Sequence, residues 1–249
     1  MASRSGTRPV RHTATGLDRL PACFLRLGAP VFYKSVTRLF NLSIATSTTP
    51  QQWKRAAIMP VPKISARKEH ADFRPISITP VLTTILERII VNQFIYPAIL
   101  TSQATLSFKD QNALGPSDSP TSAIISLLHT VTNMLTTNPY LIVISLDYSK
   151  AFDTVRHATL MKKIAQLDLP DCVYNWLTEF FSGHTHCTKY KGHTSSFKRI
   201  SSSIIQGSGI GPATYIVNAV DFNPVTHTAT RWSSSLIYVH YHSSHKRQQ

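Results

Sequence analysis

One segment restricts the fold more than any other, an apolar run that ends in a carboxylate. Residues 140–146 read YLIVISL, a length and composition typical of a strand buried on both faces of a sheet. Asp147 follows directly, which puts an ionised oxygen ligand at the rim of the sheet, where a divalent cation can reach it. An Asp that caps a helix beginning near Ser149 gives the same pattern, and the spacing alone favours the cap. We therefore expect an α/β-type fold in which a sheet is covered by helices.

Composition limits the class of protein. Of the 249 residues, 42% are hydrophobic, which is enough to bury a core in one domain or two small ones. The cysteines, Cys23, Cys172 and Cys187, are widely scattered, which argues against a disulfide scaffold and for a reducing compartment. No apolar run has the length of a membrane span, and the basic N-terminus lacks the apolar core of a secretory signal. We expect a soluble intracellular chain with no membrane partner.

The charge is strongly positive and unevenly distributed. Lys and Arg number 26 against 12 Asp and Glu, a formal net charge of +14. Residues 1–74 hold 13 of the basic residues and three acidic ones, whereas Asp221 is the one acidic residue after Glu179. A basic excess is often only a solvated surface. Its concentration at one end favours a partner that carries phosphate groups, such as a nucleic acid.

Two further motifs are suited to phosphate. Lys63 follows PVP and Arg74 lies in DFRPI, so two cations flank one loop. Arg offers a planar fork and Lys a point charge, a combination that suits a triphosphate, although a solvated basic loop has the same pattern. Residues 206–212 read QGSGIGP, and such a turn lets the backbone approach a flat or charged ligand. A tight loop without a ligand is the alternative.

Hydrophobic periodicity predicts the elements around these motifs. Pro60 and Pro62 limit the strand that contains them to a sheet edge or a strand end. Glu87 is expected on the polar side of its helix, and no periodicity holds beyond His227. We predict helices over 21–44, 81–100, 120–135, 157–167, 171–181 and 212–220, a strand over 53–60, a loop from there to 74, and a hairpin over 186–200.

Taken in order, these segments resemble the reverse transcriptase domain of a non-LTR (LINE-type, jockey-like) retrotransposon. Several independent motifs in one order make the resemblance specific. It implies an RNA-directed DNA polymerase, a nucleotidyltransferase that adds deoxynucleotides to a primer 3′ end with a pair of Mg²⁺ ions. The implied fold is α+β, a partial right-hand polymerase fold with fingers, an incomplete palm and no thumb. The resemblance is carried by GLDRLPACFLRL, PQQWKRAAIMPVPK, HADFRPISITPVL, DQNALGPSDSPTSAI, SLDYSKAFDTVRH and SIIQGSGIGPATY.

The resemblance implies roles for five palm residues. Asp147 matches a metal-bridging catalytic carboxylate, and the carbonyl of Tyr148 matches a second oxygen ligand. Lys150 and Ala151 match positions whose backbone N–H groups hold the triphosphate. Phe152 matches the aromatic gate that excludes a ribose 2′-OH and so selects deoxynucleotides.

Four more residues are matched in the fingers and in the second palm motif. Lys63 and Arg74 match the cations that grip the triphosphate, and Gln206 and Gly207 match positions beside the incoming nucleotide and the template. The implied partners are an RNA template, a DNA primer and deoxynucleoside triphosphates, with no obligate protein partner evident. The family implies a nuclear location.

The resemblance divides the chain into three parts: a disordered or truncated N-terminal segment (1–16), the fingers and partial palm (17–226), and an aberrant tail (227–249). The family's next palm motif, Tyr- or Phe-Ala-Asp-Asp, is absent after Thr226. Asp147 alone gives too few carboxylates to hold a Mg²⁺ pair. We therefore expect little or no polymerase activity from this chain by itself.

The tail itself suggests a shift of reading frame. Residues 229–236 read ATRWSSSL. One permitted back-translation of this segment is GCA ACA AGA TGG TCA AGT TCG CTG. Read one base earlier, with a preceding G, it encodes Gly-Asn-Lys-Met-Val-Lys-Phe-Ala and ends on the first base of an Asp codon. We hypothesise that residues from about 228 onward are out of frame, and genomic DNA without such an alternative frame would exclude this. Two alternatives stay open: a non-catalytic nucleic-acid-binding relic that uses residues 1–74, and a chain that never folds stably because the strand before Asp147 loses a neighbour.

Overall fold

The computed structural model describes five stretches of the chain, residues 15–101, 120–146, 152–205, 207–221 and 236–240. The helices are α1 (Ala22–Leu27), α2 (Ala29–Ala45), α3 (Val81–Ile90), α4 (Tyr96–Thr101), α5 (Pro120–Leu135), α6 (His157–Ile164), α7 (Asp171–Phe181) and α8 (Gly211–Asn218). The strands are β1 (Arg55–Pro62), β2 (Phe73–Ile78), β3 (Ile142–Leu146), β4 (Thr185–Tyr190), β5 (His193–Thr194), β6 (Lys198–Arg199) and β7 (Leu236–His240). Short 3₁₀ turns cover Gln51–Lys54 and His70–Asp72, and a π-helical turn covers Val91–Ile95. In these stretches no helix has both the length and the apolar character needed to cross a membrane.

The chain divides into two compact units. Unit 1 comprises Met1–Ile89, Asp171–Ser201 and Ile205–Gly209, and unit 2 comprises Ile90–Pro170, Ser202–Ile204 and Ile210–Gln249. Unit 1 begins with the helical region expected over 21–44, but Gly28 separates it into α1 and α2. Pro30 at the start of α2 explains the break, because a proline has no N–H to donate and its ring clashes with the preceding helical turn.

Unit 1 is built on a mixed sheet with the order β2-β1-β4-β5, in which β6 also pairs with β4. β1 and β2 are antiparallel from Ala57 opposite Ile78 to Pro62 opposite Phe73. β1 is therefore a central strand and not a sheet edge, whereas the other alternative, that its prolines lie at the strand end, is confirmed. Its parallel pairing with β4 covers only residues 55–58, so Pro60 and Pro62 lie beyond it. On that side of β1 no backbone N–H is needed at the prolines to bond a neighbouring strand.

Aromatic side chains of α7 form the centre of unit 1. Trp176 and Phe180 are fully buried and stack with ring centroids 5.0 Å apart. The indole Nε1 of Trp176 donates a hydrogen bond to Ser43 Oγ of α2 at 2.9 Å. Lys54 is also buried, and its Nζ pairs with the Glu179 carboxylate at 2.5 Å. These contacts attach α2 and the start of β1 to α7.

Unit 2 packs α6 against α8, with Leu160, Ile164 and Val217 fully buried or nearly so. The ammonium group of Lys163 donates to the backbone carbonyl of Asn218 and to Asp221 Oδ1, the latter at 2.7 Å. The end of α8 is thereby fastened to α6.

The strand before Asp147 differs from expectation in two ways. β3 has an antiparallel neighbour in β7, with Leu146 opposite Leu236 and Ile142 opposite His240, although no element was expected in that region. β7 reads LIYVH, a β-prone sequence that satisfies backbone groups of β3. Ile142 and Val143 are 51% and 45% exposed, so the expected burial on both faces is wrong at these positions. The limits proposed for the tail, 227–249, stay a prediction.

Candidate functional site

Two exposed cations flank the loop between β1 and β2, as the sequence predicts. Lys63 directly follows β1, and its backbone N–H donates to the Asp72 carbonyl at 2.7 Å. Its Nζ donates to the Ala71 carbonyl at 2.9 Å. Arg74 lies on β2 opposite Val61, so the two ends of the loop carry a cation each within one hairpin.

The carboxylate of Asp72 organises this loop. Its Oδ2 accepts the backbone N–H groups of Lys68 at 2.8 Å and Glu69 at 3.0 Å. In return the Glu69 side chain accepts the backbone N–H of Asp72. The hydrogen bond from Glu69, then that from Lys68 and lastly the charge of Lys63, hold the pKa of Asp72 below its ordinary value. This role of Asp72 is not predicted from the sequence, although the Glu-x-x-Asp spacing of residues 69–72 indicates a capping box.

This pKa shift predicts a pH-dependent loop. Because the pKa of Asp72 is lower in the folded loop than in an open one, the ordering effect is complete above its ordinary pKa and is lost as the pH falls through the lowered value. Asp72→Asn is expected to remove the effect and to speed amide hydrogen exchange over residues 63–72 several-fold at neutral pH. Asp18→Asn, which makes the same charge change away from the loop, is the control. Unchanged exchange in the Asp72 variant would show that the carboxylate does not order the loop.

Gly207 brings the glycine-rich turn against the same hairpin. Its φ is +104°, and a Cβ at this position would lie 2.6 Å from the Ser77 carbonyl oxygen on β2. Gly209 is equally close to α3, because a Cβ there would lie 2.8 Å from the Thr84 carbonyl oxygen and 3.1 Å from the Glu87 Cβ. This turn covers Glu87, which is fully buried, so the prediction that Glu87 lies on a polar helix face is wrong.

Phe152 is held in unit 2 by a second aromatic ring. It is half-buried and stacks on Tyr215 of α8, with centroids 4.4 Å apart and planes 20° apart. Its carbonyl accepts the backbone N–H of Ile204 at 2.8 Å. Tyr215 is 4% exposed and was not singled out in the sequence, where its only signal was its place in the GPATY segment.

Lys63, Arg74 and Gly207 lie in unit 1, and Phe152 lies in unit 2. The other candidate residues, Asp147, Tyr148, Lys150, Ala151 and Gln206, lie outside the described residues.

The fit to a pair of metal ions can be tested on the acidic residues. No group of three His, Cys, Asp or Glu side chains suited to a metal ion occurs in the described part of the chain. Asp221, the one acidic residue after Glu179 in the sequence, is paired with Lys163. Asp147 lies outside the described residues, so the expectation that this chain does not hold a Mg²⁺ pair stays a prediction.

Comparison with known proteins decides the family. The family model described as reverse transcriptase (RNA-dependent DNA polymerase) matches residues 62–241. The chain belongs to the reverse transcriptase family. The match extends past the limit of 226 set from the sequence, so it includes β7.

The relatives of this reverse transcriptase domain come from non-LTR mobile elements. It is 29% identical over 223 residues to the RNA-directed DNA polymerase from mobile element jockey of Drosophila melanogaster, covering 86% of this chain and 23% of that protein. It is 25% identical over 187 residues to the probable RNA-directed DNA polymerase from transposon X-element of the same species, covering 75% and 20%. The chain is thus a jockey-like reverse transcriptase domain that spans about a fifth to a quarter of these relatives.

A solved structure supports the fold. Apo telomerase from Candida tropicalis, truncated from the C-terminal domain, superimposes with a TM-score of 0.50 at 15% identity, covering 77% of this chain and 44% of that one. The α+β class and the partial fingers and palm architecture are therefore confirmed for the reverse transcriptase domain.

Proposed function

We propose that this chain acts as the nucleotide- and template-holding part of an RNA-directed DNA polymerase. In this proposal Lys63 and Arg74 bind the triphosphate of an incoming deoxynucleotide beside an RNA template and a DNA primer. The observation that carries the proposal is the loop between β1 and β2, which Asp72 orders and which presents a cation at each end. A loop ordered before binding loses less conformational entropy when the ligand arrives.

The chemistry of the two cations suits a triphosphate. The guanidinium of Arg74 can form two parallel hydrogen bonds to phosphate oxygens, whereas the ammonium of Lys63 acts as a compact point charge. Gly207 supports the same assignment, because a residue without a Cβ allows the turn to lie directly against the backbone of β2. In this proposal Gln206 and Gly207 contact the nucleotide and the template strand, as the family resemblance implies.

Selection of the sugar is assigned to Phe152. Its ring is supported by the stack on Tyr215, and an anchored ring excludes a 2′-OH more sharply than a mobile one. Backbone N–H groups of Lys150 and Ala151 complete the triphosphate contacts in this proposal.

Metal binding enters only through Asp147 and the Tyr148 carbonyl. A divalent ion such as Mg²⁺ would neutralise phosphate charge there. Because Asp147 and Tyr148 lie outside the described residues, we assign no metal-dependent step to this chain. The second candidate function, nucleic-acid binding without nucleotide incorporation, is favoured by the net charge of +14 and by the concentration of basic residues in 1–74.

Binding of a fluorescent deoxynucleoside triphosphate tests the role of the two cations. Lys63→Gln and Arg74→Gln are each expected to weaken binding about tenfold or more, because each removes charge-assisted hydrogen bonds to phosphate. Lys34→Gln and Arg38→Gln remove the same charges from the exposed surface of α2 and serve as controls. Equal losses in both pairs would mean that net charge alone attracts the nucleotide, and the proposed site would be wrong.

A further inference from the structure

A second basic feature of unit 1 is a groove of about 430 Å³ between the β1–β2 loop and the turn that joins β4 to β5. The loop contributes Arg67, Lys68 and His70, and the turn contributes Lys191. Within the described part of the chain, neither ion pair, Lys54–Glu179 or Lys163–Asp221, involves Arg67, Lys68 or Lys191. The groove therefore presents several exposed positive charges to solvent.

The groove also contains an acidic residue, Glu69, whose side chain is fixed by a backbone hydrogen bond. The Glu69 side chain accepts the backbone N–H of Asp72 in the reciprocal pair that caps the short turn His70–Asp72. The carboxylate keeps its negative charge, but the lining residues Arg67, Lys68 and Lys191 carry three positive charges against this single negative one. An anion in the groove thus experiences a net attraction.

Aromatic rings form the apolar part of the same groove. Phe73 and Tyr190 meet edge to face, with centroids 6.0 Å apart. Tyr190 is 42% exposed, and the Lys191 ammonium lies 5.5 Å from its ring centroid. In single-strand binding proteins, a nucleic-acid base stacks on an exposed aromatic ring, and cations in the same groove contact the flanking phosphates.

The turn that carries Lys191 is an unusual place for lysine. Lys191 and Gly192 have φ values of +47° and +81°. A two-residue hairpin turn with both φ values positive strongly favours Asn, Asp or Gly at its first position. Lysine at this position does not stabilise the turn, but it places a cation beside the groove.

The groove lies on the opposite face of the hairpin from Arg74. Successive side chains of a strand point to opposite faces, and Phe73, which lines the groove, directly precedes Arg74 on β2. A ligand in the groove and a triphosphate at Arg74 would therefore not compete for one surface.

We infer that this groove binds a single-stranded polynucleotide. Tyr190 stacks on one base, and Arg67, Lys68 and Lys191 contact the flanking phosphates. The inference rests on the proposed function, since a polymerase domain must guide its single-stranded template. It adds a binding surface distinct from the triphosphate site. The backbone and the bases of RNA and DNA offer the same charges and ring faces here, so both are expected to bind.

Fluorescence anisotropy with labelled oligo(U) and oligo(dT) of about 12 nucleotides tests the groove on the full chain. Tyr190→Ala is expected to weaken binding by about 5- to 100-fold, the range found for loss of one stacked base. Lys191→Gln is expected to reduce the slope of log affinity against log salt by about 0.7, as for one lost phosphate contact on a single strand.

The chain offers a matched control. On α2, Lys34 lies 5.9 Å from the ring centroid of Tyr33, and Tyr33 is 56% exposed, so Tyr33→Ala and Lys34→Gln repeat the same changes elsewhere in unit 1. Losses confined to Tyr190 and Lys191 support the groove. Equal losses at both pairs, or wild-type affinity in the Tyr190 and Lys191 variants, would overturn it while leaving the proposed function intact. No polynucleotide binding by the unaltered chain would instead overturn the proposed function as well.

Discussion

Replacing Gly207 by alanine is expected to destabilise unit 1 by about 2–5 kcal/mol and to displace the glycine-rich turn from β2. Two effects add. A side chain at φ +104° costs roughly 1–2 kcal/mol. A Cβ at 2.6 Å from the Ser77 carbonyl oxygen forces backbone to move, which typically costs about 1–3 kcal/mol. Urea unfolding followed by tryptophan fluorescence measures the change, since Trp53 and Trp176 both lie in unit 1.

A second glycine isolates the steric part of this effect. Gly192 has a similar positive φ of +81°, but a Cβ there would meet nothing within 4 Å. Gly192→Ala is therefore expected to cost only the backbone strain, about 1–2 kcal/mol. If the Gly207 and Gly192 variants lost equal stability, the close approach of the turn to β2 would be contradicted.

The Trp176→Ala variant is expected to lose about 3–5 kcal/mol of stability, the usual cost of deleting a buried aromatic side chain. Trp176 is fully buried, stacks on Phe180 and donates to Ser43 Oγ. Its removal leaves a cavity between α2 and α7 and deprives the hydroxyl of Ser43 of its indole donor. Far-UV circular dichroism during urea unfolding reports the loss without relying on the deleted fluorophore.

Smaller changes at the same position separate packing from hydrogen bonding. Trp176→Phe keeps a ring against Phe180 but removes the indole N–H, and Ser43→Ala removes the acceptor. Each is expected to cost about 1–3 kcal/mol, less than the alanine variant. A loss below about 1 kcal/mol in Trp176→Ala would mean that α2 and α7 do not share a packed core.

Local signals in the sequence are sufficient for the bounds of α5 and α7 and for the two cations. The helix predicted over 120–135 has the bounds of α5, and the one over 171–181 has those of α7, because each has a regular apolar periodicity and a clear start. The loop between Lys63 and Arg74 was recognisable because prolines and mixed charges interrupt the periodicity on both sides.

Long-range pairing was not readable in the same way. The strand β2 was missed because FRPISI is short and contains a proline, and its stability comes from the register with β1. The groove depends on the parallel pairing of β1 with β4, which brings Tyr190 to Phe73. No periodicity within either segment encodes such a pairing. Burial of Glu87 likewise results from a turn that is distant in sequence.

Deoxynucleotide incorporation on a primed RNA template, measured beside binding of that template, tests the central claim most directly. We expect the chain to bind the primed template with a steep salt dependence, because its contacts are mainly cations on phosphates. We expect no Mg²⁺-dependent extension of the primer, since the sequence after Thr226 lacks the Tyr- or Phe-Ala-Asp-Asp motif that supplies further metal-binding carboxylates in the family. Robust Mg²⁺-dependent extension by the 249-residue chain would contradict this account.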